Sequence, residues 1–129
     1  MRSGIAVSQA YTIAGMRQST TRLCAVHDLE NPGSAVFPLP QGTIGEQVMV
    51  IRKGEDVFGY LNSCPHTGGP LDWVPGVFLD LDRQFIQCAT HDALFCINDG
   101  ECVHGPCLGQ YLQPVALECR NGWVCYRGD

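Results

Sequence analysis

Two short blocks of this chain carry the residues best suited to holding a metal. The first is Cys64-Pro65-His66-Thr67-Gly68-Gly69-Pro70-Leu71 and the second is Cys88-Ala89-Thr90-His91-Asp92-Ala93-Leu94-Phe95. Each offers one thiolate and one imidazole, spaced C-x-H in the first and C-x-x-H in the second, with 21 residues between His66 and Cys88. Both blocks follow an expected strand end and lie in turns of small residues, whose backbone can approach a metal closely. Backbone N–H groups so placed can point at sulfur and stabilise added electron density there. Two ligand sets fit these residues. A structural Zn²⁺ takes two cysteines and two histidines, but zinc sites of that kind usually pair like residues along the chain. One Cys and one His per block suits instead a binuclear iron–sulfur centre in which one iron takes both thiolates and the other both imidazoles. The spacing favours the cluster and leaves zinc as the alternative.

The elements that must position these blocks read as short strands. Arg22–Val26, Ala35–Leu39, Gln47–Arg52, Val57–Leu61, Gln84–Cys88, Tyr111–Cys119 and Gly122–Tyr126 are rich in β-branched and aromatic residues and are bounded by turn residues. Pro38 and Pro40 would confine the second strand to a sheet edge. Lys53-Gly54-Glu55-Asp56 joins the third and fourth strands as a hairpin, and Asn121-Gly122 is a good two-residue hairpin turn. No segment sustains a helical period, and 15 glycines and 8 prolines punctuate the chain. The expected fold is all-β, with many short antiparallel strands. Residues 1–21 show no clear period and are expected to form a tail, with the domain at 22–129 and its metal-binding part at about 62–108.

Composition narrows the function. A chain of 129 residues, 45% apolar, is one domain's worth. The net charge of −5, with no cluster of Lys or Arg, argues against nucleic acid and anionic membrane as partners. No apolar run approaches the ~18 residues of a membrane helix. Met1–Met16 is weakly apolar, carries Ser8, Gln9 and Thr12, and has no convincing cleavage site, so a cytoplasmic location is expected. Eight cysteines then read as a metal site with extra thiols rather than as a secreted disulfide framework.

The two blocks resemble the Rieske pattern, C-x-H followed by C-x-x-H, and Gly105-Pro106 resembles the proline loop that covers the cluster in Rieske proteins. Cys64–Trp73, Cys88–Phe95 and Asp99–Cys107 are together similar to small bacterial Rieske ferredoxin-like proteins, a resemblance that runs from about Arg22 to the C-terminus. It implies a Rieske-like domain with a small subdomain of two cluster-binding loops and one [2Fe–2S] cluster. It also implies that Cys64 and Cys88 bind one iron and that His66 and His91 bind the other. The chain departs from the family pattern in two places. The gap between blocks is longer, within Trp73–Arg83, and Asp92 stands where Gly is usual.

The resemblance implies an electron carrier without a substrate of its own. It would take single electrons from a flavin- or NAD(P)H-dependent reductase and deliver them to a terminal oxygenase or reductase. A chain of this length does not accommodate the second, mononuclear-iron domain of an oxygenase α-subunit. A redox sensor, an accessory subunit of a larger reductase and a zinc-bound structural module are the alternatives. High-potential Rieske proteins link their cluster loops by a disulfide and place Ser and Tyr hydroxyls near the cluster. The matching positions here are Gly69 with Thr90, and Ala93 with Phe95. A potential in the lower half of the Rieske range, roughly −150 to +300 mV, is therefore expected.

Other residues receive plainer readings. Cys102-Val103-His104 is a second C-x-H without further donors in order. Cys102 and Cys107 flank the proline loop and are expected to pack or hydrogen-bond rather than form a disulfide. Cys24, Cys96, Cys119 and Cys125 read as small buried hydrophobes, and His27 as a surface residue. Trp73 and Phe78 suit either a docking surface or the core, and Asp72, Asp80 and Asp82 read as solvated charges. Ligand imidazoles titrate, so the potential is expected to fall by ~59 mV per pH unit above the pKa of a ligand imidazole in the oxidised state. Voltammetry from neutral to strongly alkaline pH checks this, and a flat potential would contradict it.

Overall fold

Successive residues of a strand face opposite ways, so an unbroken apolar run needs cover on both sides. Val48-Met49-Val50-Ile51 is such a run, and all four residues are fully buried. The computed structural model, which describes residues 20–65, 67–89 and 92–127, shows how they are covered. Among the described residues, nine strands form three antiparallel three-stranded sheets. They are β1 Thr20–Ala25, β2 Gly33–Pro38, β3 Gln47–Lys53, β4 Asp56–Leu61, β5 Phe85–Gln87, β6 Leu94–Cys96, β7 Cys102–His104, β8 Leu117–Arg120 and β9 Trp123–Arg127. The sheets run in the orders β1-β9-β8, β2-β3-β4 and β5-β6-β7. A short 3₁₀ turn, Val26–Asp28, follows β1.

The run in β3 is the central strand of the middle sheet and feeds two cores. Met49 and Ile51 pack with Tyr60, Phe78, Ile86, Phe95 and Leu112 in the larger core, which includes the third sheet. Val50 packs with Leu29 and Val124 in the smaller core, which includes the first sheet. Each fully buried side chain of this size contributes roughly 1.5–3 kcal/mol. The fold is thus all-β and antiparallel, as the alternation of the sequence indicates. Among the described residues no helix is long and apolar enough to cross a membrane.

Turn chemistry sets both hairpins. Asn121 and Gly122 have φ of 51° and 82°, the two left-handed residues that a type I′ turn needs to join β8 to β9. Lys53 pairs with Asp56 around Gly54-Glu55. The β2 edge position matches the reading of Pro38.

The strand boundaries differ from the sequence reading in several places. β1 begins at Thr20, not Arg22, because Thr20 and Thr21 pair with Arg127 and Tyr126. The long strand expected at Tyr111–Cys119 shrinks to Leu117–Arg120, preceded by isolated bridges of Tyr111 to Glu101 and Pro114 to Tyr60. Pro114 has no N–H to carry a ladder onward. β6 and β7 escape the sequence pattern because three residues are too few to show a period. Residues 1–19, expected to form most of the tail, lie outside the described residues.

The long segment between the metal blocks folds back on the body. The Ser34 hydroxyl donates to Gly76 O (2.7 Å) and accepts from Phe78 N (3.1 Å). Arg83 at the next turn reaches Glu30 (2.9 Å) and Pro32 O (2.8 Å). Phe78 is buried, while Trp73 is 78% exposed, so the two aromatics of this segment divide between core and surface. The Asp80 carboxylate accepts from Gln84 N and Phe85 N and builds the turn into β5, so it is not a solvated charge.

Tyr60 ties the middle sheet to the third. It is 3% exposed and its hydroxyl donates to Ile97 O at 2.7 Å. Tyr60→Phe leaves that carbonyl unpaired and is expected to remove about 1–3 kcal/mol of stability. A thermal melt should show a clearly lowered midpoint; an unchanged one contradicts this role.

Candidate metal centre

The first ligand block leaves the end of β4. Asn62, the residue after that strand, is the sole buried polar residue among the described residues. A buried amide must find partners, and Asn62 finds them on three sides. Its Oδ1 accepts from Leu71 N (2.8 Å), and its Nδ2 donates to Gln47 Oε1 (3.0 Å) and Asp72 Oδ1 (2.9 Å). Its own N–H donates to Gln47 O (2.9 Å). One side chain therefore pins both ends of the first block to the start of β3. Asp72 also accepts from Gly76 N (3.0 Å), so it is a structural carboxylate rather than the solvated charge the sequence suggested.

The two blocks close in the same way. In the first, Cys64 N donates to Gly69 O (2.7 Å) and Gly68 N donates to Cys64 O (2.6 Å). In the second, Cys88 N donates to Ala93 O (2.9 Å) and Asp92 N donates to Cys88 O (2.8 Å). Each loop thus pairs its cysteine with the fifth residue on, and the fourth residue back with the cysteine. The fourth residue is left-handed in both: φ is 82° at Gly68 and 55° at Asp92. Asp tolerates that region better than most residues, which accounts for Asp92 at a position where Gly is usual. The two loops are joined by a hydrogen bond from Ala89 N to Leu71 O (2.9 Å).

Cys64 and Cys88 are each 1% exposed and belong to the same core cluster. The expected imidazole donors, His66 and His91, lie outside the described residues, as does Thr90. Ala93 and Phe95 are fully buried.

A third loop presses on the second block. Gly105 has φ of 108°, and a Cβ there would lie 2.8 Å from Ala93 Cα. Ala93 is the residue whose carbonyl closes the second loop, so only glycine allows this contact. Behind it, Cys102 and Cys107 are buried free thiols, with Cys107 Sγ donating to Cys102 Sγ at 3.1 Å. Burial, then the Cys102 partner and nearby Cys64, push the Cys107 thiol up to about 12. Cys102 also donates to His104 O (3.3 Å), so both hydrogen bonds of its thiol are internal to this loop. Among the remaining cysteines Cys125 is buried, Cys24 and Cys96 are half-buried, and Cys119 is exposed, contrary to its reading as a buried hydrophobe.

The features that sequence reasoning missed are Asn62 and the contact of Gly105 with Ala93. Both depend on residues distant in the chain, and a lone Asn two residues before a cysteine carries no local signal.

The sequence model of the Rieske [2Fe-2S] domain matches residues 19–119. The chain belongs to the Rieske [2Fe-2S] domain family. No curated protein sequence matches it. The Rieske fold is shared with solved structures at low identity. The ferredoxin of carbazole 1,9a-dioxygenase from Nocardioides aromaticivorans IC177 is 22% identical, with TM-score 0.67, over 86% of this chain and 99% of that one. A chain in the complex of reduced oxygenase and oxidized ferredoxin in carbazole 1,9a-dioxygenase is 22% identical, with TM-score 0.68, over 88% and 96%. The terminal oxygenase of carbazole 1,9a-dioxygenase from Novosphingobium sp. KA1 is 18% identical, with TM-score 0.69, over 88% of this chain and 31% of that one. The cofactor of a Rieske domain is one [2Fe–2S] cluster. The residues present suit it, since two loops of identical backbone closure each bring a buried cysteine into one apolar core.

Gly105→Val is expected to lower the iron retained per chain, because the added carbons collide with Ala93. Gly109 has a comparable φ of 87° with nothing within 4 Å of a Cβ. Gly109→Ala should therefore keep its iron despite a backbone cost of about 1–2 kcal/mol. Equal iron loss in both variants would trace the effect to backbone strain alone.

Proposed function

We propose that this Rieske protein is a ferredoxin-like electron carrier whose cluster is held by Cys64 and Cys88 on one iron and by His66 and His91 on the other. The observation that carries this reading is the repeated loop closure around Cys64 and Cys88, each loop enclosing one of the two histidines in its sequence. The cluster supplies one-electron transfer. Two thiolates leave the oxidised centre formally neutral and the reduced one at −1, where four thiolates would give −2 and −3. An added electron is therefore easier to accept than in an all-cysteine cluster.

The protein takes electrons from a flavin- or NAD(P)H-dependent reductase and passes them to a terminal oxygenase. Support comes from the neighbouring fold found in a complex of oxygenase and ferredoxin. The exposed apolar stretch Trp73, Val74 and Val77 begins two residues after Leu71, which is bonded to the second loop. In this reading it borders the docking face. Ala93 and Phe95 offer no hydroxyl to the cluster, which favours the lower half of the Rieske range. A reducing compartment, the cytoplasm, suits a chain whose cysteines form no disulfide.

The test is EPR of the dithionite-reduced protein, with iron and zinc counted on the same sample. Two irons per chain and a paramagnetic signal are expected. Pulsed EPR should show nitrogen couplings that change when histidine is labelled with ¹⁵N and simplify in His66→Cys or His91→Cys. An EPR-silent protein holding zinc would overturn the electron-transfer reading.

A further inference from the structure

The segment Cys102-Val103-His104-Gly105-Pro106-Cys107 begins and ends in a buried cysteine, 1% and 0% exposed. Their sulfurs are 3.1 Å apart. A disulfide bond is about 2.05 Å long, so an approach of about 1 Å joins them. The backbone holds both residues in place for this. Cys102 donates to Gln110 O (2.8 Å) and accepts from Gly109 N (3.1 Å), while Cys107 O accepts from Gln110 N (2.8 Å). Residue 110 thus bonds both cysteines at once and fixes the base of the loop. The loop's outer residues, Val103, His104 and Pro106, are exposed. Access of a small reagent to the sulfurs requires that outer turn to swing away.

We propose that Cys102 and Cys107 are a second redox site, a thiol pair that is oxidised reversibly to an intrachain disulfide by low-molecular-weight disulfides. One cysteine sulfur attacks the reagent, breaks its S–S bond, and forms a mixed disulfide with release of one thiol. The other cysteine sulfur then displaces the second thiol and completes the Cys102–Cys107 bond. The two cysteine protons end on the two released thiols. The pair loses two electrons and the reagent gains them. The bridge closes a six-residue ring around Gly105, the residue seated on Ala93, and so fastens the loop that presses on the second ligand block. The chemistry of the pair does not depend on which metal Cys64 and Cys88 hold.

The experiment incubates the metal-loaded full chain with excess oxidised glutathione. The protein is then unfolded, its remaining thiols are alkylated, and the peptides are mapped by mass. The expected result is a peptide in which Cys102 and Cys107 both escape alkylation and carry no glutathione, with both thiols restored by a reductant. In Cys102→Ser and Cys107→Ser proteins the bridged product should vanish, and iron content measured alongside shows that each variant has folded. Should either serine variant fail to fold, the map of the wild-type chain decides alone. Full alkylation of both cysteines after the treatment overturns the proposal. So does glutathione retained on either of them, or a bridge from one of them to a different cysteine.

Discussion

In both ligand loops the cysteine amide donates to the carbonyl five residues on, and the amide four residues on donates back to the cysteine carbonyl. This closure bends a short stretch of chain into a ring and fixes the direction in which each cysteine leaves it. It also demands a left-handed backbone at the fourth residue, which Gly68 supplies without cost and Asp92 supplies with the tolerance of a short polar side chain. The local pattern is thus the same in the two loops although the histidine sits one place later in the second. What differs between the loops is the place of the histidine in the sequence, while the backbone scaffold is shared.

Two such rings become a site only when something holds them against one another. The Ala89–Leu71 hydrogen bond joins them directly, and Asn62 fastens the exit of the first ring to β3. Burying an amide is expensive unless its polar atoms are satisfied; here Asn62 Oδ1 and Nδ2 are both engaged, so the cost is offset and the position is rigid. The same strand that receives Asn62 carries the four-residue apolar run shared by both cores. The ligand loops are therefore anchored to the most deeply buried element of the fold.

The third loop adds a different constraint. Its contact with Ala93 is backbone against backbone, possible because Gly105 has no side chain. Such a close approach leaves no room for a side chain between the third loop and the second ring. The Cys102 and Cys107 sulfurs lie at the base of that loop. A structural role for surplus thiols is the ordinary expectation, and their mutual contact sets this pair apart from Cys119, which lies exposed on β8.

The candidate ligand residues, their spacing and the all-β alternation were legible in the sequence because each is a property of neighbouring residues. The Cys-His blocks and Gly105-Pro106 needed no partner to be recognised, and the alternating strands and the Asn121-Gly122 turn declared themselves within a few residues. The short strands β6 and β7 did not, because they exist only through pairing with one another and with β5. Likewise Phe78 and Trp73 could not be sorted between core and surface, since Phe78 N meets Ser34 across 44 residues of chain, and Asp72 and Asp80 were read as solvated charges although both bond backbone amides. The sequence by itself determined which atoms were available to bind a metal and in what order. Only the tertiary structure decided what positions them, because Asn62, Ala93 with Gly105, and Cys102 with Cys107 act through contacts that stacking the sheets and folding the loops back bring about.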